Sequence, residues 1–168
     1  MEDIIQPMDL KKLIMLFNYQ YRTDKGEEYF DPSMSMLRSK RTNRIRYIYY
    51  EGCLIATLKP TDGHLVLSAE GAKRFLLKVP KPTCRVVVDP SVEQEIILGK
   101  NVYARHALSC DPDIRPADEV FVVNNNDGLI AIGRAILNGH EITAFKYGQA
   151  VRTRKGIGDH NDEAENES

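Results

Sequence analysis

The sequence predicts an α+β fold made of two small units: an antiparallel sheet covered by helices, followed by a mostly β unit. Its 168 residues are enough for two small domains. Apolar residues alternate along short runs that end at Glu-Gly or Asp-Gly turn dipeptides, which is typical of antiparallel strands. Pro80 and Pro82 stiffen a short connector between the halves, so we predict domains at 1–83 and 84–157.

The first unit is predicted to begin with a helix capped by Asp9, because apolar residues follow at helical spacing. Residues 21–35 contain several helix and strand breakers and are predicted to form a loop. A second helix is predicted after Ser68, which is a favourable N-cap, and before Pro80. Between the loop and this helix, period-two alternation predicts strands at 44–50, 53–59 and 64–67.

The second unit opens on three consecutive valines, which predict a strand over 85–89 that is buried on both faces. Ser91 and Gln94 form a capping-box pair for a helix over 91–98, and Gly99 is its left-handed stop. Composition and turn residues predict strands at 102–108, 119–123 and 129–136, one helical turn within 139–146, and a last strand at 149–154.

The composition is that of an ordinary folded protein, with 42% hydrophobic and 28% charged residues. No apolar run is long enough to span a membrane, and the first residues lack the pattern of a signal peptide. Cys53, Cys84 and Cys110 lie far apart, which argues against a disulfide framework and a zinc motif. We therefore expect a cytoplasmic protein with free thiols.

The charge is distributed unevenly along the chain. The net charge is −1, but five of the 24 acidic residues lie in 158–168, which leaves 19 acidic against 23 basic residues, a net charge of +4, in the remainder. The segment 158–168 has no aromatic or β-branched residue with which to form a core, so we predict a disordered acidic tail.

Four motifs in the second half resemble the PUA domain, the RNA-binding module named after pseudouridine synthases and archaeosine transglycosylases. They are GKNV at 99–102, IRPADEV at 114–120, GLIAIGRA at 128–135 and AFKYGQAV at 144–151. The resemblance implies that residues 84–157 form a mixed β pseudo-barrel that binds RNA.

The first half is similar to the region that precedes the PUA domain in archaeosine tRNA-guanine transglycosylases. The similar segments are LFNYQY at 16–21, residues 37–76, and VPKPTCRVVV at 79–88. This resemblance implies the non-catalytic, tRNA-handling end of these archaeal enzymes. The large catalytic barrel and the cysteine-rich zinc motif of the parent enzymes have no counterpart in this sequence.

One residue departs from the family pattern. The family turn usually reads Pro-Gly-Asp-Glu-Val, and here Ala117 takes the place of the glycine. If this position requires a positive φ, the alanine is strained by about 1 kcal/mol. The departure concerns the geometry of one turn and leaves the predicted fold unchanged.

No catalytic motif of the common classes is present: the sequence lacks GxGxxG, GxxxxGK[ST], HExxH and GxSxG. His106 and Cys110 would lie too far apart on one strand to act as a thiol–base pair. Turn formation explains Asp62 and His64. It also explains three aspartates that suggest a cation site, Asp111, Asp113 and Asp118. We therefore expect no catalytic residue, no metal and no cofactor.

A first candidate RNA-binding group lies between positions 38 and 46, where five basic residues and no acidic residue directly precede three tyrosines. The basic residues are Arg38, Lys40, Arg41, Arg44 and Arg46, and the tyrosines are Tyr47, Tyr49 and Tyr50. Basic residues beside aromatic rings are typical of phosphate contact and base stacking. The equally weighted alternative is a charged edge strand that resists aggregation. We expect Arg44 and Arg46 to share one strand face.

A second candidate group surrounds the glycine turn. The PUA resemblance implies that RNA approaches this helix end, and Gly99 has no Cβ to keep a phosphate away. Its members are predicted to be Gly99, Lys100, Asn101, Arg105, Arg152, Arg154 and Lys155. Arg152 and Arg154 alternate with one residue and are expected to point the same way. For Gly99 alone, a simple helix C-cap is the alternative.

These features favour a non-catalytic protein that binds tRNA or another structured RNA. It would be the PUA subunit of a split archaeosine tRNA-guanine transglycosylase, or an accessory to another tRNA-modifying enzyme. The alternative is a ribosome-associated or protein-interaction module that binds rRNA or a protein surface. A catalytic partner predicts an apolar docking patch near Leu16, Phe17 and Tyr21. The oligomeric state is left open.

Overall fold

The computed structural model of the protein describes residues 2–159, and these residues form the α+β fold expected from the sequence. The chain divides into two compact units between Thr83 and Cys84. The first is an antiparallel sheet with helices, and the second is a mixed sheet that is nearly closed into a pseudo-barrel. Within the described residues, no helix is both long and apolar enough to cross a membrane.

The first unit is organised around a five-stranded antiparallel sheet with its strands in sequence order. The strands are β1 (Asp3–Ile4), β2 (Ser35–Arg38), β3 (Ile45–Tyr50), β4 (Cys53–Leu58) and β5 (Leu65–Leu67). Met36 on β2 lies opposite Ile48 on β3, which in turn lies opposite Ala56 on β4. These side chains therefore share one sheet face, and all three are buried.

Three helices belong to this unit: α1 (Pro7–Tyr21), α2 (Gly26–Tyr29) and α3 (Ala69–Lys78). The prediction that Asp9 caps α1 is wrong, because Pro7 occupies the first turn and the helix starts after Gln6. Asp9 lies within the first turn, where its charge is favourable for the helix dipole. The prediction for Ser68 is confirmed, since its side chain accepts a hydrogen bond from the Gly71 backbone N–H.

An aromatic cluster forms the core of the first unit. Its members are Phe17, Tyr21, Tyr29, Phe30 and Phe75, and the rings of Phe17 and Tyr29 stack at 4.4 Å between centroids. The prediction of a loop over 21–35 is therefore wrong: it missed α2 and two of these core rings. The predicted docking patch is also wrong, because Phe17 and Tyr21 are almost completely buried in this cluster.

The second unit contains a six-stranded mixed sheet. Its strands are β6 (Arg85–Val88), β7 (Val102–Tyr103), β8 (Ala107–Cys110), β9 (Glu119–Val123), β10 (Leu129–Ala135) and β11 (Gln149–Gly156). The spatial order is β7-β11-β10-β9-β6-β8, and β6 and β9 are parallel whereas the other neighbours are antiparallel. Two short helices, α4 (Glu93–Ile97) and α5 (Gly139–Ala144), complete the unit.

Two predictions for the second unit are wrong in detail. The helix predicted from Ser91 is preceded by a 3-10 turn whose cap is Asp89: the Ser91 N–H donates to Oδ1 of Asp89 at 2.9 Å. This hydrogen bond also lowers the pKa of Asp89. The single strand predicted over 102–108 is instead divided by a 3-10 turn at Ala104–His106, so that β7 and β8 join opposite edges of the sheet.

The turn that contains Ala117 has the geometry that the family pattern implies. Ala117 has φ of 74°, which lies in the left-handed region that disfavours a Cβ. Its N–H donates to the carbonyl oxygen of Ala135 at 2.7 Å, and the Ala135 N–H donates to the carbonyl oxygen of Asp118 at 2.8 Å. The turn is therefore fixed to the end of β10, and the strain predicted for this alanine is present.

Candidate nucleic-acid interface

The turn after α4 is a Schellman motif. Leu98 is the C-cap, the Gly99 N–H donates to the carbonyl oxygen of Ile96 at 2.9 Å, and the Lys100 N–H donates to that of Glu95 at 3.1 Å. Gly99 has φ of 98°. Gly99 is thus the left-handed residue directly after the C-cap, as predicted, and the exposed Lys100 follows it.

Two side-chain hydrogen bonds connect this turn to β11. Oδ1 of Asn101 accepts from the Thr153 N–H at 2.9 Å, and Oγ1 of Thr153 donates to the carbonyl oxygen of Lys100 at 2.7 Å. The Asn101 side chain thus fixes the backbone, which is a structural role that the sequence did not suggest. These bonds place the glycine turn beside β11, the strand that carries Arg152, Arg154 and Lys155.

A carboxylate already lies at the glycine turn. A Cβ added to Gly99 would meet Oδ2 of Asp159 at 3.2 Å. The backbone holds Asp159 in place, because the Gly158 N–H donates to the carbonyl oxygen of Ile97 at 3.0 Å and the Asp159 N–H to that of Gly156 at 3.1 Å. The remaining part of the predicted acidic tail, residues 160–168, lies outside the described residues.

The basic side chains of β11 have different environments. Arg152 is exposed, whereas Nη2 of Arg154 donates to Oε1 of Glu119 at 2.7 Å. Ile132 pairs with Lys155 and Gly133 pairs with Thr153, so Arg154 is the extra residue of a β-bulge. Bulges redirect side chains, and this one occurs where Arg154 reaches a carboxylate two strands away. Arg154 is therefore engaged in a structural ion pair.

Arg134 is not among the RNA-binding residues predicted from the sequence. Its Cα lies opposite that of Arg152 across β10 and β11, and opposite that of Glu119 across β10 and β9. Directly opposite residues of an antiparallel pair point to the same face, so the three side chains form one outward row. Strand alternation indicated that Arg134 points outward, but only the long-range register places it beside Arg152.

Arg105 also lies near this edge. It belongs to the 3-10 turn that follows β7, and its guanidinium carbon is 5.9 Å from the ring centroid of Tyr103. Its Nε donates to Nε2 of His106 at 2.9 Å. The side chain is exposed and β7 pairs with β11, so Arg105 and Arg152 belong to neighbouring elements.

In the first unit, a hairpin loop between β2 and β3 presents three exposed basic residues, Lys40, Arg41 and Arg44. The Asn43 N–H donates to the carbonyl oxygen of Ser39 at 2.8 Å, which closes the loop. Arg38 is different from these three: its Nη1 donates to the carbonyl oxygen of Asn43 at 3.0 Å and its Nη2 forms an ion pair with Asp9. Arg38 therefore stabilises the loop by connecting Asn43 to Asp9.

Arg46 does not accompany Arg44 on a strand face. Arg44 lies in the loop, before β3 begins at Ile45, so the prediction of a shared face is wrong. Arg46 is partly buried, its guanidinium carbon lies 5.5 Å from the Tyr47 ring centroid, and its Nε has no hydrogen-bond partner among the described residues.

Burial raises the pKa of Tyr49, and nearby Glu2 and Tyr47 raise it further.

The other candidate groups have structural explanations. Burial, assisted by Asp111, raises the pKa of the Cys110 thiol to about 11, so this thiol is protonated at neutral pH and unsuited to nucleophilic attack. Asp111 is buried and accepts backbone N–H groups from Cys84 at 2.8 Å and Asp113 at 2.9 Å. In residues 2–159, no group of three or more His, Cys, Asp or Glu side chains could hold a metal ion.

Comparison with protein families assigns each unit separately. Residues 11–82 match the patch-forming domain C2 of tRNA-guanine transglycosylase. Residues 84–157 match the PUA domain. A tRNA-guanine(15) transglycosylase of Methanobrevibacter smithii is 42% identical over 149 residues, which cover 89% of this chain and 23% of that protein. The chain thus spans about a quarter of the length of the curated relatives that it matches.

Solved structures agree with the fold. A hypothetical protein of Pyrococcus horikoshii superimposes with a TM-score of 0.75 at 19% identity, covering 95% of this chain and 96% of that one. A conserved PUA domain protein of Thermoplasma acidophilum gives 0.69 at 22% identity, with the same coverages of 95% and 96%. Each match covers residues of both units and shows the fold.

Proposed function

Because the chain is a PUA-domain protein that resembles the C-terminal region of archaeal tRNA-guanine transglycosylases, we propose that it binds RNA without catalysing a reaction on it. The preferred ligand is tRNA. The observation that carries the proposal is a single similarity of 149 residues that runs through both units, at 42% identity to a protein named for its action on tRNA.

The distribution of charge supports this proposal. Exposed basic residues occur on the β2–β3 loop of the first unit and at the Lys100 and β11 edge of the second. Contacts from lysine and arginine to phosphates are largely independent of sequence and weaken as salt rises. A folded RNA is recognised mainly through its shape, its phosphates and its 2′-hydroxyl groups. We therefore expect salt-sensitive binding with weak sequence preference.

The proposed biological role is to hold tRNA for a modifying enzyme. The matched relatives are named tRNA-guanine(15) transglycosylases, and the part of them that this chain resembles is about a quarter of their length. A separate catalytic chain would gain effective substrate concentration if this protein held the same tRNA nearby. Together the two chains would form a split archaeosine transglycosylase, and service to another tRNA-modifying enzyme is the second version of this role.

Binding is tested by titrating the purified protein into labelled tRNA between 50 and about 300 mM salt, with a duplex DNA of equal length as comparison. We expect tighter binding of tRNA and a logarithmic affinity that falls linearly with the logarithm of salt concentration. An affinity that stays flat over this range would contradict the phosphate-based interface. Absence of any tRNA complex at the lowest salt would refute the proposed function itself.

The contribution of the β2–β3 loop is tested with a triple variant, Lys40→Gln, Arg41→Gln and Arg44→Gln. A matched control removes the same charge from exposed lysines on α1 and α3: Lys11→Gln, Lys12→Gln and Lys78→Gln. If the loop binds phosphates, the first variant lowers the salt slope by about two to three, whereas the control changes it little. Equal effects of the two variants would show that the loop contributes only net positive charge and makes no specific phosphate contact.

The RNA species is identified by cross-linking the protein to RNA in its native cells and sequencing the bound molecules. Enrichment of tRNA is the expected result. Enrichment of rRNA would instead support a ribosome-associated module. Co-purification from the same cells addresses the catalytic partner: we expect a chain with transglycosylase activity on tRNA to accompany the protein, and recovery of the protein alone in active fractions would refute the subunit role.

A further inference from the structure

Arg134 and Arg152 place two arginine side chains on the same outward face of the second unit. The Cα atoms of the two residues are partners across β10 and β11, and both residues are exposed. Side chains in this arrangement start from Cβ atoms about 5 Å apart. Like charges directly opposite each other on neighbouring strands are normally destabilising, so this pairing is unusual for a surface selected for stability alone.

The neighbouring carboxylate, Glu119, forms its ion pair with another residue of the sheet. Glu119 is the cross-strand partner of Arg134 on the other side, but its Oε1 accepts from Nη2 of Arg154 at 2.7 Å. Among residues 2–159, neither Arg134 nor Arg152 has a hydrogen bond or an ion pair through its side chain. The two guanidinium groups are thus left with their donor groups available on one surface.

We propose that Arg134 and Arg152 together bind the phosphodiester backbone of the RNA. This inference rests on the proposed function and assigns a specific contact to it. A guanidinium group presents its N–H donors in a planar fork that matches two phosphate oxygens. Two such forks on one rigid sheet face can hold one phosphate between them or two successive phosphates of a strand. Contacts of this kind fix the position of the RNA and carry no sequence information.

Arg154 has a different role in this arrangement. Its ion pair with Glu119 engages the carboxylate that lies opposite Arg134 across β9 and β10. Arg154 therefore acts on RNA through Glu119 and is a positioning residue. Replacement of Arg154 by glutamine releases Glu119 toward Arg134, and we expect this to weaken RNA binding. The additional replacement Glu119→Gln should restore binding, because it removes the competing carboxylate.

The inference is tested with Arg134→Gln and Arg152→Gln, singly and together. The matched control is Arg115→Gln with Lys146→Gln, two exposed basic residues of the same unit. We expect each single variant to weaken tRNA binding about fivefold, and the double variant to reduce the salt slope by about 1.5. The control should change the slope by less than half of that. A double variant that binds like the control would refute the inference.

Two further measurements separate the possible failures. Arg134→Lys with Arg152→Lys keeps the charge and removes the forks, so the salt slope should remain while the affinity falls; unchanged affinity would refute the requirement for guanidinium groups. Pyrophosphate titrated into the protein should shift the Nε–Hε NMR signals of Arg134 and Arg152 and leave that of Arg115 unchanged. If the wild type binds no RNA, the proposed function fails. If it binds RNA and these signals stay fixed, only the paired site fails.

Discussion

Arg85 and Asp127 form a bidentate ion pair inside the second unit. Nε of Arg85 donates to Oδ1 of Asp127 at 2.7 Å and Nη2 donates to Oδ2 at 3.0 Å. Only 3% of the Arg85 side chain is exposed, against 16% of the Asp127 side chain. A buried pair contributes little net stability compared with an apolar pair, but removing one partner of such a pair is strongly destabilising.

We therefore predict that Asp127→Asn lowers the free energy of unfolding of the second unit by about 3 kcal/mol. Asparagine is the suitable replacement because Asp127 has φ of 60°, a conformation that asparagine tolerates. The control Arg154→Gln breaks a more exposed pair and should cost less than about 1 kcal/mol. Urea unfolding followed by NMR signals of the second unit measures both values, and equal values would contradict the prediction.

Ala117→Gly is predicted to stabilise the second unit by about 1 kcal/mol, because glycine enters the left-handed region without a Cβ penalty. The φ of 74° at Ala117 is the basis for this sign. Ala144→Gly, at the last residue of α5, is the opposite control and should destabilise the unit by up to about 1 kcal/mol. A loss of stability in Ala117→Gly would show that the turn has no strain to relieve.

Asp159→Asn is predicted to strengthen tRNA binding about threefold if RNA approaches the glycine turn, because it removes a negative charge beside Gly99. Asp24→Asn removes the same charge from a site in the first unit whose side chain is 90% exposed, and should change the affinity little. Titrations at low salt measure the difference. No change in Asp159→Asn would place Gly99 and Lys100 outside the RNA contact, without affecting the binding function itself.

Thiol labelling is predicted to be selective. Cys53 is exposed and Cys84 is buried. The pKa of Cys110 is raised to about 11, so its reactive thiolate becomes abundant only as the pH approaches that value. Iodoacetamide at pH 7.5 should therefore modify Cys53 first, as peptide mass spectrometry would show, and Cys53→Ser should be almost unlabelled. Equal labelling of Cys110 and Cys53 in the folded protein would contradict the burial of Cys110.

Local signals were sufficient for much of the fold. The strand predicted at 119–123 agrees with β9, and Ser68 and Gly99 have the predicted capping roles. These elements depend on side-chain alternation, a hydroxyl cap and a positive φ, which are properties of short sequence segments. The α+β fold class could be predicted from the sequence because both halves combine such segments with clear turn residues.

Other features depend on contacts that are distant in sequence. Tyr29 and Phe30 lie in a stretch rich in breakers, and their place in the core depends on ring contacts with Phe17, which is distant in sequence. The same limitation applies to the candidate interface. Arg134 is a candidate RNA-binding residue only because of its register with Arg152. The number of basic residues in a segment does not show that Arg154 has a carboxylate partner whereas Arg152 has none among the described residues.

The position of β11 has a consequence for biosynthesis. This strand lies between β7 and β10 in the interior of the sheet, although it is made after every other strand of the unit. Before residue 156 leaves the ribosome, both neighbours present unpaired backbone groups that invite pairing with other nascent chains. Premature termination within this strand would therefore yield an aggregation-prone product rather than a smaller folded one. We expect cellular proteases to degrade such a product.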